Sequence, residues 1–203
     1  MNVFVLCTGR SGSTTFAQAC GHFTNFTAGH ESRSSIIGPS RLDYPDNHIE
    51  ADHRLTKQLG ALEMRYGDNA TYVHLLRDRE TVARSMARLI DGPMSSVRAF
   101  ASTVLGRPSL TPEELMPVCL DYVDTVTTNV NAYLVGKSRA FTIHLESPHA
   151  SFADFAEAIG AEGDLDAAHR ELDVQHNQKR DPSYARKKSQ FAQIAMYLAN
   201  RIP

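Results

Sequence analysis

The chain has 203 residues, 42% of them hydrophobic and 22% charged, with a formal net charge of −2. That content suffices for one independently stable core and excludes both a disordered tail and a disulfide-stapled miniprotein. The near-neutral balance also argues against a bulk nucleic-acid binder, which carries a broad basic excess, so any anionic ligand must be held by a local site.

The opening segment Met1 to Thr8 has no basic leader, and its apolar run is far too short to span a bilayer. A cytoplasmic location is therefore expected, with no membrane partner. Cys7, Cys20 and Cys119 are odd in number, have no C-x-x-C spacing and lie in apolar patterns, so they read as reduced core thiols.

In chain order, Asn2 to Cys7 is a short apolar run ending at Gly9, the pattern of a buried strand. A helix follows from Thr14, with Phe16, Ala19, Cys20 and Phe23 along one face. Thr24 to Asn47 contains Gly29, Gly38, Pro39 and Pro45 and no sustained period, which predicts a long loop with one helical turn. His48 to His53 suits a second strand, and Leu55 to Tyr66 a helix with Leu55, Leu59 and Leu62 inward. Thr71 to Leu76 is the clearest strand, and Asp78 opens a helix to about Ile90. Gly92-Pro93 breaks it before a helix over Ser95 to Val104.

Thr111-Pro112-Glu113-Glu114 is a capping-box start for a long helix through Tyr133, stopped by Gly136. Phe141 to Leu145 alternates as a strand. Helices are then expected at Ser151 to Ile159, Asp164 to Leu172 and Ser183 to Arg201. No linker or repeat marks a second domain. Alternating strands and helices predict a single α/β domain of three layers, a central parallel sheet with helices on both faces, and a ligand site beyond the strands' carboxyl ends.

Thr8-Gly9-Arg10-Ser11-Gly12-Ser13-Thr14-Thr15 joins the first strand to the first helix. Its two glycines permit close backbone approach. Helix-start amides, hydroxyls of Ser11, Ser13, Thr14 and Thr15, and the Arg10 guanidinium suit an anion. Aligned with the nucleoside-triphosphate loop G-x-x-x-x-G-K-[ST], however, the segment has Ser13 in place of Lys and Cys7 in place of the first Gly. Without that Lys an ordinary kinase or ATPase is disfavoured. The second cluster is Tyr72-Val73-His74-Leu75-Leu76-Arg77-Asp78, a strand ending in Arg-Asp, with Ser85 two turns into the next helix.

Together the two segments resemble the signatures of sulfotransferases that use 3′-phosphoadenosine 5′-phosphosulfate (PAPS), in particular small bacterial and carbohydrate-type members. Those signatures are a T-x-R-S-G-[ST]-T loop and a later strand, R-D, then Ser segment. The resemblance implies the P-loop-containing nucleotide-hydrolase-like sulfotransferase fold. It implies that Arg10, Ser11, Gly12, Ser13, Thr14 and Thr15 hold the 5′-phosphosulfate, and that Arg77 and Ser85 grip the 3′-phosphate. It implies the bisphosphate PAP as product and a hydroxyl on a carbohydrate or other polar small molecule as acceptor. Asn177-Gln178-Lys179-Arg180 is a looser match to a nucleotide contact, with Lys179 and Arg180 as further donor ligands; the alternative is a solvated basic loop.

Sulfuryl transfer needs a base for the acceptor proton and no metal. Family members often carry a Glu after the first helix, which makes Glu31 the first choice, His30 the second and His53 the third. Glu31 alternatively pairs with Arg33 or caps a helix. His30, Glu31, His48 and His53 lack the H-E-x-x-H pattern, so no metal is expected. His74 reads as a hydrogen-bonded core histidine and Glu146 as a brace for loop amides. An atypical small-molecule or nucleotide kinase, and a non-catalytic PAP/PAPS-binding module, are the rival readings.

Overall fold

The computed structural model describes residues 1–92 and 95–176. The expected helix over Ser183 to Arg201, and Lys179 and Arg180 with it, lie outside the described residues.

Five parallel strands form one sheet: β1 (Val3–Leu6), β2 (Thr27–His30), β3 (His48–Ala51), β4 (Thr71–Leu76) and β5 (Ala140–His144), in the order β2-β3-β1-β4-β5. Val3 lies opposite both Ile49 and Thr71, and Tyr72 lies opposite Ala140. β1 sits at the centre, and all four of its residues are fully buried. Strand alternation sends Val3 and Val5 to one face and Phe4 and Leu6 to the other, so the sheet must be covered twice.

On the first face, Val3, Val5, Ile49, Val73 and Ile143 meet α1 (Ser13–Cys20), α6 (His149–Ala158) and α7 (Leu165–Leu172) through Phe16, Phe152, Phe155 and Leu172. On the second, Phe4, Leu6 and Tyr72 meet α2 (Leu59–Arg65), α3 (Arg79–Ala87), α4 (Ser96–Thr103) and α5 (Pro112–Leu134) through Leu62, Val82, Phe100, Cys119, Tyr122 and Val130. Each large apolar side chain so buried contributes roughly 1.5–3 kcal/mol. All three cysteines are buried and unpaired. No helix among the described residues is long and apolar enough to cross a membrane.

Helix starts follow the caps. The side chains of Asp78, Ser95 and Asp164 accept from the amides of Thr81, Arg98 and Ala167, and Thr111 with Glu114 completes the capping box of α5. Three segments differ from expectation, the first being the helix expected over Leu55 to Tyr66, which is α-helical only over Leu59–Arg65 and has Leu55 in the preceding 3-10 turn. Residues 24–47 hold not only a 3-10 turn (Pro39–Leu42) but also the edge strand β2, whose composition Thr-Ala-Gly-His carries no apolar alternation. The strand expected over His48 to His53 ends at Ala51, because the Asp52 side chain accepts from Arg54 N at 2.7 Å and starts a 3-10 turn (His53–Lys57).

The chain leaves β1 toward β2 and β3 on one side, while β4 and β5 lie on the other. The crevice at this reversal, beyond the carboxyl ends of β1 and β4, is where such sheets bind ligands.

Candidate active site

The loop after β1 turns by placing Gly9, Arg10 and Gly12 in the left-handed region, at φ 81°, 59° and 84°. Only glycine adopts that conformation freely, and Arg10 holds it through its partners. Arg77 donates to the Arg10 carbonyl at 3.1 Å, and the Tyr122 hydroxyl donates to the Thr8 carbonyl at 3.1 Å. Gly12 caps α1 with no side-chain hydrogen bond, so the first amides of the helix face the cleft without a side-chain cap.

The two sequence motifs meet here. Arg10 Nε donates to Ser85 Oγ at 3.0 Å, across 75 residues of sequence. Burial first and the Arg77 charge second depress the Arg10 pKa, the mark of two guanidiniums crowded at one place. A cleft of about 760 Å³ opens over this loop, and Arg10, Arg77, Ser85, Glu31, His53 and Ser96 are among the residues that line it. Ser11 departs from expectation. It is 1% exposed, sits against Cys7 beneath the loop and does not line the cleft, because the turn at Gly9 and Arg10 directs it inward. Thr15 lines the cleft but spends its hydroxyl on the Val174 carbonyl at 3.1 Å, which ties α1 to the segment after α7.

The three candidate bases also converge, each in a different setting. His30 Nε2 lies 3.0 Å from Ser13 Oγ and 3.4 Å from Thr14 Oγ1, so it buttresses the loop, and burial lowers its pKa. Glu31 sits at φ 52°, its Oε1 2.9 Å from His53 Nδ1 and its Oε2 paired with Arg54 rather than with Arg33. The hydrogen bond from His53, assisted by Arg54, outweighs burial and holds the Glu31 pKa down to about 2. A carboxylate only accepts, so His53 Nδ1 carries the proton, leaving Nε2 3.3 Å from Ser96 Oγ at the cleft.

His53 reaches this position because the 3-10 turn lifts it off the alternation of β3, which sequence periodicity alone would have projected with Ile49 and Ala51. Glu31, Asp52 and His53 could also offer a cation three ligand atoms, but Arg54 already lies against both carboxylates. His74 is buried against Asn131, and burial lowers its pKa to about 4. Glu146 accepts from the Asp78 amide at 2.8 Å and so braces the Arg77 segment. Arg54, which with Arg33 and Arg41 suits a polar or anionic acceptor by sequence, lies against Glu31 and Asp52. Sequence does not mark Ser96 or Tyr122 as site residues, and the helix start at Ser95-Ser96 is the signal that points to the former.

No family model matches the chain, and no curated protein does. Among solved structures, the chain is similar to the sulfotransferase domain from the curacin biosynthetic pathway, at 11% identity over 94% of this chain and 96% of that one, with a TM-score of 0.58. Together with the five-stranded parallel sheet clad on both faces, this likeness shows that the chain has the P-loop-like sulfotransferase fold.

Proposed function

We propose that the protein is a PAPS-dependent sulfotransferase acting on a hydroxyl of a polar small molecule, such as a carbohydrate. The observation that carries this reading is the meeting of Arg10, Arg77 and Ser85 at one edge of the cleft, beside the uncapped start of α1. A 5′-phosphosulfate would lie on the loop amides and Arg10, and a 3′-phosphate on Arg77 and Ser85.

In the reaction the acceptor oxygen forms a bond to sulfur while the bond from sulfur to the phosphate oxygen breaks. Arg10 and the helix amides stabilise charge on the departing oxygen, and the acceptor proton passes to a base. We assign that base to His53 Nε2 rather than to Glu31. A carboxylate held at about 2 by His53 and Arg54 is a poor proton acceptor near neutrality, whereas Glu31 is well placed to hold the imidazole with Nε2 toward the cleft. His30, occupied by Ser13 and Thr14, supports the loop. Ser96, whose Oγ lies 3.3 Å from His53 Nε2, suits a hydroxylated acceptor.

The test is calorimetry with adenosine 3′,5′-bisphosphate and adenosine 5′-phosphate, on wild type, Arg77→Ala and Ser85→Ala. Preference for the 3′-phosphorylated nucleotide, lost in both variants, is the expected result. Equal affinity for the two nucleotides in wild type would refute the donor assignment. With labelled donor and an acceptor panel, His53→Ala is expected to lower turnover by about 10²–10⁴ without weakening bisphosphate binding.

A further inference from the structure

Glu50 carries a carboxylate into the sheet on β3, next to the edge strand, where it is 0% exposed. It accepts three hydrogen bonds: from Ser32 N at 2.8 Å, from Ser32 Oγ at 2.5 Å and from His48 Nε2 at 2.9 Å. The other ring nitrogen, His48 Nδ1, lies 2.8 Å from Thr27 Oγ1 on β2. A buried carboxylate is costly unless satisfied in this way, and a hydrophobic residue would fill the same place more cheaply. The fold also makes room for it. Gly29 is the residue opposite Glu50 in the ladder, and a Cβ there would lie 2.7 Å from Glu50 Oε2.

What the carboxylate grips is the residue after Glu31. Glu31 N is held by the Ala51 carbonyl at 3.2 Å, Ser32 N by Glu50, and Ser34 N by the Glu31 carbonyl at 3.2 Å. Between these anchors Glu31 takes φ 52°, a left-handed conformation that a non-glycine residue holds only when its surroundings enforce it. That turn brings its side chain back over His53.

We propose that Glu50 is a positioning residue for sulfuryl transfer, acting through Ser32 to hold Glu31 in its left-handed turn and thereby to keep His53 Nε2 aimed at the acceptor. The inference rests on the reading of His53 as the base. Releasing Ser32 lets Glu31 relax toward ordinary backbone geometry, its carboxylate leaves Nδ1, and the imidazole loses both its fixed tautomer and its orientation. The phosphate loop is held on its other side by Arg77, Tyr122 and Ser85, and His30, which buttresses Ser13 and Thr14, lies in β2 before the turn at Glu31, so donor binding is expected to change far less than turnover.

The experiment uses the full chain as wild type, Glu50→Ala, Glu50→Gln and Ser32→Ala, with Thr27→Val as a control that alters the same buried cluster away from Glu31. Two readouts are taken: ring nitrogen shifts of His53 by NMR, and turnover at saturating donor beside bisphosphate affinity. For Glu50→Ala the expected results are loss of the Nδ1-protonated His53 signature, turnover lower on the order of 10²-fold and bisphosphate affinity within about twofold of wild type. Glu50→Gln, which keeps the shape and one acceptor, should restore part of both losses, and Thr27→Val should leave the His53 signature intact. Where Glu50→Ala does not fold, Ser32→Ala is read in its place, with a smaller change in the same direction. An unchanged His53 signature in these variants overturns the proposal. A wild type that transfers no sulfate overturns the functional reading instead, and the ring signature still decides whether Glu50 governs His53.

Discussion

Glu31→Gln separates a carboxylate that orients from one that takes a proton. The wild-type side chain is about three-quarters buried and holds His53 and Arg54, which brings its pKa from 4.5 to about 2. A group depressed on folding adds stability above its unfolded pKa and gives it up as pH falls toward the folded one. For Glu31 the full contribution at pH 7 is up to about 3 kcal/mol, less some screening by water at its exposed quarter. At pH 3.5 the unfolded chain has largely protonated this carboxyl while the folded chain has not, so about 1.4 kcal/mol of that contribution is gone. Gln keeps the shape and cannot titrate. Urea unfolding of both proteins at pH 7 and pH 3.5, followed by circular dichroism, should therefore show the gap between them narrowing by about 1.4 kcal/mol at the lower pH. Carboxylates that share no partner with Glu31 cancel in the difference. A gap that stays constant would refute the claim that Glu31 is ionised and engaged in the folded protein, and with it the argument against Glu31 as base.

Three further outcomes follow from local geometry. Gly12→Ala forces a left-handed conformation at φ 84° and puts a methyl 2.6 Å from Leu145 Cδ1, so it should cost about 1–2 kcal/mol in backbone strain alone and weaken bisphosphate binding. Adding Leu145→Ala should relieve the clash but not the strain, read as a partial recovery of the melting temperature. His74, neutral when buried and lowered from 6.5 to about 4, should make the fold less stable as pH drops below 6.5, by about 2 kcal/mol at pH 5 relative to pH 7, and His74→Gln should remove that slope in calorimetric scans. Thr111→Ala removes half of the α5 capping box and should cost about 1 kcal/mol by chemical denaturation, with bisphosphate affinity unchanged.

The parts of this fold that sequence reveals are those in which a local pattern and the tertiary structure ask for the same thing. The β4 strand is Thr71–Leu76 in both, because its residues are buried on both faces and bounded by polar turns. The capped helices begin within a residue of their Asp, Ser or Thr signals. β2 escaped because an edge strand of four residues needs backbone partners from β3 more than apolar side chains of its own, and Gly29 within it reads as a loop residue until Glu50 is seen opposite.

The site divides along the same line. The anion loop and the Arg77 segment are contiguous stretches whose chemistry is written in order, so their meeting could be anticipated from two short strings. The roles of Glu31 and His53 could not, since each depends on what the other touches. Sequence offers a carboxylate and several histidines in separate segments and ranks them by family habit. Only the 3-10 turn at Asp52 brings His53 onto Glu31, and that contact, with Arg54, holds the carboxylate pKa low and fixes the imidazole. On the proposed reading the base is therefore a property of a pair, and the buried Glu50 beneath Ser32 extends the pair by one more residue that no motif marks.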